Sequence, residues 1–146
     1  MATDWTTAIQ HVAIRVTGEI ASDVDLSHAG TPDAVAHVFV GSILAHVKGR
    51  RTAQRLVAIW RDAAVHQPRL PELARRERTR YPDAECPAGL VITIGPDAVL
   101  TQQLLPATGR APVHLRIQVG PLVWLVLDRA AYTSTRALWE RVADTL

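Results

Sequence analysis

The chain predicts an α+β protein made of two tandem ββββα repeats, each a mainly antiparallel sheet with one helix on its apolar face, related by a pseudo-two-fold. Two observations carry this. Strand-type alternation gives way to helix-type spacing twice along the chain, and the chain matches itself at an offset of 79 positions. Between 39–65 and 118–144, seven of 27 aligned pairs are identical: Val40/Val119, Gly41/Gly120, Val47/Val126, Arg50/Arg129, Ala58/Ala137, Trp60/Trp139 and Ala64/Ala143. Composition alone predicts roughly two or three. The glycine and tryptophan pairs carry most of the weight.

The organisation expected is repeat 1 over 1–66, a charged Pro-rich linker over 67–88 and repeat 2 over 89–146. In the first repeat, IQHVAIRVTG alternates with Val12, Ile14 and Val16 on one face, and GEIASDVDL continues with Ile20, Val24 and Leu26 against Glu19, Asp23 and Asp25. A hairpin follows if Gly41-Ser42 form the two central residues of a tight turn, glycine taking the positive φ that a type II′ turn needs. Val40 then faces Ile43, Val38 faces Ala45 and Ala36 faces Val47, an apolar face throughout. In RRTAQRLVAIWRDAAVH, Ala53, Leu56, Val57, Trp60, Ala63 and Ala64 recur at helical spacing.

The linker QPRLPELARRERTRYPDAECPAG predicts one short helix near Glu72 to Arg80. In the second repeat LVITIGPDAVLTQQLL supplies two strands around Gly95-Pro96-Asp97. The second hairpin turns at Gly120-Pro121, with Val119 opposite Leu122, Ile117 opposite Trp124 and Leu115 opposite Val126. A helix then starts after Asp128, a candidate N-cap, and presents Tyr132, Thr135, Trp139, Val142, Ala143 and Leu146 on one face. Trp60, Trp124 and Trp139 are expected in the core, and Trp5 is free to pack or to stack.

Bulk properties narrow the function classes. The 146 residues carry 48% hydrophobic content and a net charge of +2, a value too small to suggest a polyanion partner on its own. The charge is unevenly placed: net −4 over 1–47, +7 over 48–80 and −1 over 81–146. Fifteen of the sixteen basic residues are arginine and alanine is abundant, the usage of a GC-rich, actinobacterial-like genome. Cys86 stands alone, which excludes an intramolecular disulfide and a cysteine zinc site and fits a reducing cytoplasm. The longest apolar run, Leu122 to Leu127, is far too short to cross a bilayer, so no membrane role is expected.

Chemistry-bearing clusters are sparse. His37 and His46 fall opposite each other across the first hairpin, but a metal site needs a third ligand and only His11 offers itself, so a solvated cross-strand pair is the expectation. Glu19, Asp23 and Asp25 follow strand alternation and read as a water-facing edge. Neither a phosphate-binding loop, a nucleophile elbow nor a catalytic Cys/His signature is present, and no cofactor, metal or enzymatic activity is expected.

The outward sheet face is the more informative surface. It mixes basic, aromatic and apolar groups, which suits stacked bases over a cationic groove or burial against another protein. The candidate binding residues are Arg15, His37, Phe39, His46, Lys48 and Arg116, with phosphate contacts from Arg75, Arg76, Arg78 and Arg80 beside Tyr81. Two ββββα units in one chain resemble, in order of elements alone, the Whirly and PUR families of single-strand nucleic-acid-binding proteins. That resemblance implies single-strand binding and assigns no residue. The function expected first is a non-enzymatic nucleic-acid-binding accessory protein. The alternatives are a protein-interaction or homo-oligomerisation module, and a small-molecule-binding regulator with a tryptophan-lined pocket between the repeats.

Overall fold

A computed structural model describes residues 12–40, 43–74 and 90–146. Among these described residues, eight strands and two α-helices follow one another in the expected order. They are β1 (Val12–Val16), β2 (Ser22–Ser27), β3 (Val35–Val40), β4 (Ile43–Lys48), α1 (Arg50–Asp62), β5 (Leu90–Ile94), β6 (Leu100–Leu105), β7 (His114–Val119), β8 (Leu122–Val126) and α2 (Arg129–Thr145). The fold is α+β, with two four-stranded sheets that are mostly antiparallel and two helices.

Both hairpins take the predicted register. Val40 pairs with Ile43 and Ala36 with Val47, while Val119 pairs with Leu122 and Leu115 with Val126. The second turn places Gly120 at φ 56, the left-handed region in which glycine avoids a Cβ clash. A two-residue turn makes the flanking pair a hydrogen-bonded one, and alternation then decides for every residue which edge its N–H and C=O face.

The sheets do not follow the halves of the chain. Sheet I runs β2-β3-β4-β5 and sheet II runs β1-β8-β7-β6, so each takes one strand from the opposite half. β1 lies parallel to β8, Ile14 opposite Trp124, and β5 lies parallel to β4, Ile92 opposite Ala45. Grouping Arg15 with His37 on one outward face is corrected by the structure, which places Arg15 on sheet II. Alternation defines the faces of β1 but does not specify its neighbour.

Helix contacts join the halves further. Arg55 on α1 donates to the carbonyls of Pro96 and Ala98 in the turn between β5 and β6, the latter at 3.0 Å. On α2, Ser134 accepts from the Ile20 amide at 3.2 Å, before β2. The inner faces of both sheets and the apolar faces of both helices bury into a single cluster that includes Ala36, Val38, Val47, Leu56, Ile94, Leu115, Ile117 and Val142. Trp124 from β8 stands at its centre, edge-to-face with Trp60 of α1 at 6.0 Å and with Trp139 of α2 at 6.0 Å. Such perpendicular pairs place a positive ring edge on a negative ring face.

The helix starts differ. At the first, Gly49 occupies the N-cap at φ 85 with no side-chain cap, whereas at the second Asp128 caps by accepting from the Ala131 amide at 2.7 Å. After α1 the chain tightens into a 3-10 helix, Ala63–Arg69, where Pro68 cannot supply an α-helical N–H. The helix expected near Glu72 to Arg80 does not begin there, because residues 71–74 are not helical; the remainder lies outside the described residues.

Candidate binding surfaces

The outer face of sheet II is set by alternation in β1, β6, β7 and β8. Its central row reads Arg15, Leu125, Arg116 and Gln103 across four adjacent strands, and the next row reads Ala13, Val123, Gln118 and Thr101, of which Val123 is buried. His114 follows beside Leu105. These rows contain no acidic residue. Two guanidinium-bearing positions thus stand two strands apart, about 10 Å at the usual inter-strand spacing, with an aliphatic side chain between and carboxamides alongside. Arg15 and Gln103 are exposed and Arg116 is half-buried.

Sheet I presents a different outer face. One row reads Asp23, Phe39, Leu44 and Val91, and the next reads Asp25, His37, His46 and Thr93. Lys48 pairs with Val35, which pairs with Ser27. Phe39 is 44% exposed and Val91 62%, a hydrophobic band that the fold leaves at the surface. His37 and His46 meet edge-to-face with ring centroids 4.7 Å apart. The Ser27 hydroxyl holds His37 Nε2 at 2.6 Å, and His46 Nε2 is buried without a partner. Among the described residues no group of three His, Cys, Asp or Glu side chains lies close enough to hold a metal. The Ser27–His37 pair is itself part-buried.

The structure therefore divides the residues that sequence placed on one surface. Arg15 and Arg116 come together on sheet II. His37, Phe39, His46 and Lys48 come together on sheet I, beside Asp23 and Asp25. Arg75, Arg76, Arg78 and Arg80, with Tyr81, His11 and Trp5, lie outside the described residues.

Three features have no local signature in the sequence. Asp128 is fully buried and accepts four N–H contacts: Gly18 N to both carboxylate oxygens at 3.1 and 2.9 Å, Ala74 N at 3.0 Å and Ala131 N at 2.7 Å. Next to it the Arg129 guanidinium donates to the Leu70 carbonyl at 2.9 Å and the Pro68 carbonyl at 3.0 Å. Two residues at the start of α2 thus fasten the β1–β2 loop and the segment after the 3-10 helix. Sequence showed Asp128 as a cap, but nothing local could reveal partners 54 and 110 residues away.

The second feature is the outward side of α2. A groove of about 730 Å³ is lined by Glu19, Glu72, Arg129, Ala130, Thr133, Ser134 and Ala137, and a smaller one of about 250 Å³ by Gln67, Tyr132, Thr133, Arg136, Ala137 and Glu140. Neither is lined by tryptophan, because the three core indoles pack on one another. Third, Tyr132 donates to the Trp60 carbonyl inside the core. Burial raises the Tyr132 pKa, against the opposing pull of Arg136, and Glu140 adds to the rise.

No protein-family model, no curated protein and no solved structure matches the chain. Among the described residues no helix is long and apolar enough to cross a membrane.

Proposed function

We propose that the chain is a non-enzymatic, cytoplasmic binding protein built from two copies of a ββββα unit, and that it takes single-stranded nucleic acid on the outer face of sheet II. The observation that carries the binding reading is the row Arg15–Leu125–Arg116–Gln103, in which two guanidinium positions flank a leucine with a carboxamide beside them. Guanidinium groups contact phosphates and stack on bases, and carboxamides hydrogen-bond exposed base edges, so such a row suits an unpaired strand. The contribution of Phe39 is discounted by Asp23 directly across from it, which would repel a phosphate.

The duplication is supported by the strand pairs. Ser22 opposite Val40 has its counterpart in Leu100 opposite Val119, and His37 opposite His46 in Arg116 opposite Leu125. Arg61 and Glu140 are 79 positions apart, the offset of the self-match, and they meet at 3.3 Å. Contact between equivalent positions is what an axis relating two copies produces.

Titration of fluorescent single-stranded DNA and RNA at two salt concentrations tests the binding reading. Affinity is expected to fall steeply with salt, and Arg116→Ala to reduce the slope by about one. Absence of binding at low salt would sink the reading. The band of Phe39, Leu44 and Val91 on sheet I favours a second reading, a protein interface on the opposite sheet, which mutation of Arg116 would leave untouched.

A further inference from the structure

The two antiparallel edge strands are treated differently by the fold. β2 ends sheet I and β6 ends sheet II, and the hairpin registers place the N–H and C=O groups of Val24 and Leu26, and likewise of Gln102 and Leu104, on the outer edge. On β2 the Asp23 carboxylate accepts from the Val24 amide at 2.9 Å and Asp25 from the Leu26 amide at 2.9 Å. Two edge donors are thereby occupied and two negative charges stand where an incoming strand would lie. This is how soluble proteins keep a sheet edge from pairing with another chain.

On β6 the corresponding residues are Thr101 and Gln103, and the strand Leu-Thr-Gln-Gln-Leu-Leu carries no charge and no proline. Among the described residues nothing accepts the Gln102 or Leu104 edge amide. The Gln102 carboxamide adds an independent sign: its Oε1 is buried and has no hydrogen-bond partner. A buried carbonyl oxygen without a donor is costly, and no described residue donates to this one.

We propose that β6 is an open pairing edge, and that its occupant is β6 of a second copy of this chain, joined antiparallel about a two-fold axis through Gln102. In that register Leu100 faces Leu104 of the second copy, Thr101 faces Gln103, and the two Gln102 residues face each other. Leucine meets leucine on the core side and polar meets polar outside. Each Gln102 carboxamide can then donate to the other's orphan oxygen. Three outward-facing pairs supply about six backbone hydrogen bonds, and sheet II becomes the half of a continuous eight-stranded sheet. The neighbouring register, with its axis at Gln103, sets each Gln102 against Leu104 and leaves the amide oxygen unpaired. An edge contact of this kind buries little side-chain surface, so the dimer is expected to dissociate on dilution.

Sedimentation velocity on the full chain from about 5 to about 200 µM tests this, a range in which a small hydrogen-bonded interface is expected to come apart. The wild type should pass from monomer to dimer. Thr101→Asp/Gln103→Asp transplants the guard of β2 onto β6 and should remain monomeric throughout with unchanged circular dichroism. The reciprocal Asp23→Thr/Asp25→Gln opens a second edge and should assemble beyond the dimer, a gain that loss of folding would not mimic at retained circular dichroism. A wild type that stays monomeric at the highest concentration overturns the proposal, as does a dimer that survives Thr101→Asp/Gln103→Asp. A reciprocal variant that stops at the dimer removes the contrast between guarded and open edges, and the proposal with it.

Discussion

Replacing Trp124 with alanine is expected to lower the unfolding free energy by about 3–5 kcal/mol, the upper range for loss of a buried aromatic side chain. The indole touches both Trp60 and Trp139, and each of the three rings is almost wholly buried. Its removal therefore takes one face of the packing from each helix at once. With total stability on the order of 5–15 kcal/mol, the variant would lose a large part of what holds it folded. Melting temperature should drop by roughly 6–20 °C at about 2–4 °C per kcal/mol for a chain of this size. Urea denaturation of wild type and variant measures it directly. A loss below about 1 kcal/mol, small for a buried aromatic, would mean that the helices meet the sheets through other contacts.

Asp128→Ala is expected to cost about 2–4 kcal/mol, more than the ~1 kcal/mol typical of an N-cap alone. The excess arises because the carboxylate serves three segments. Without it the Gly18 and Ala74 amides, which are part-buried, and the buried Ala131 amide lose the acceptor that a wholly buried side chain gives them. Asp128→Asn is no rescue, since its single oxygen cannot replace two and its amino group would face an N–H donor. Hydrogen exchange separates a latch from a cap. Loss of protection should reach Gly18 and Ala74 as well as the first turn of α2; loss confined to that turn would show a cap and nothing more.

Local features of the fold were legible, and partners at long range were not. Alternation and a two-residue turn are enough to place Val40 opposite Ile43 and Val119 opposite Leu122, because a slip by one residue would send Val38 and Ile117 to water. The strand partner of β1 was illegible: Val12, Ile14 and Val16 state which face is buried, while nothing in them prefers β8 to the nearer β2. The binding candidates were separated for the same reason, since Arg15 follows its strand into sheet II. Trp60, Trp124 and Trp139 were readable as core from helix and strand spacing. Asp23 and Asp25 were readable as a solvated edge, but the capping of Val24 and Leu26 depends on β2 being last in its sheet, a property of topology.

Backbone amide shift mapping during titration with a short single-stranded oligonucleotide tests the proposed nucleic-acid surface on sheet II residue by residue. Perturbations are expected at Arg15, Gln103, Arg116, Gln118 and Leu125, saturating together and weakening with added salt. Perturbations centred on Phe39, Leu44 and Val91, with the sheet II residues unmoved, would contradict it.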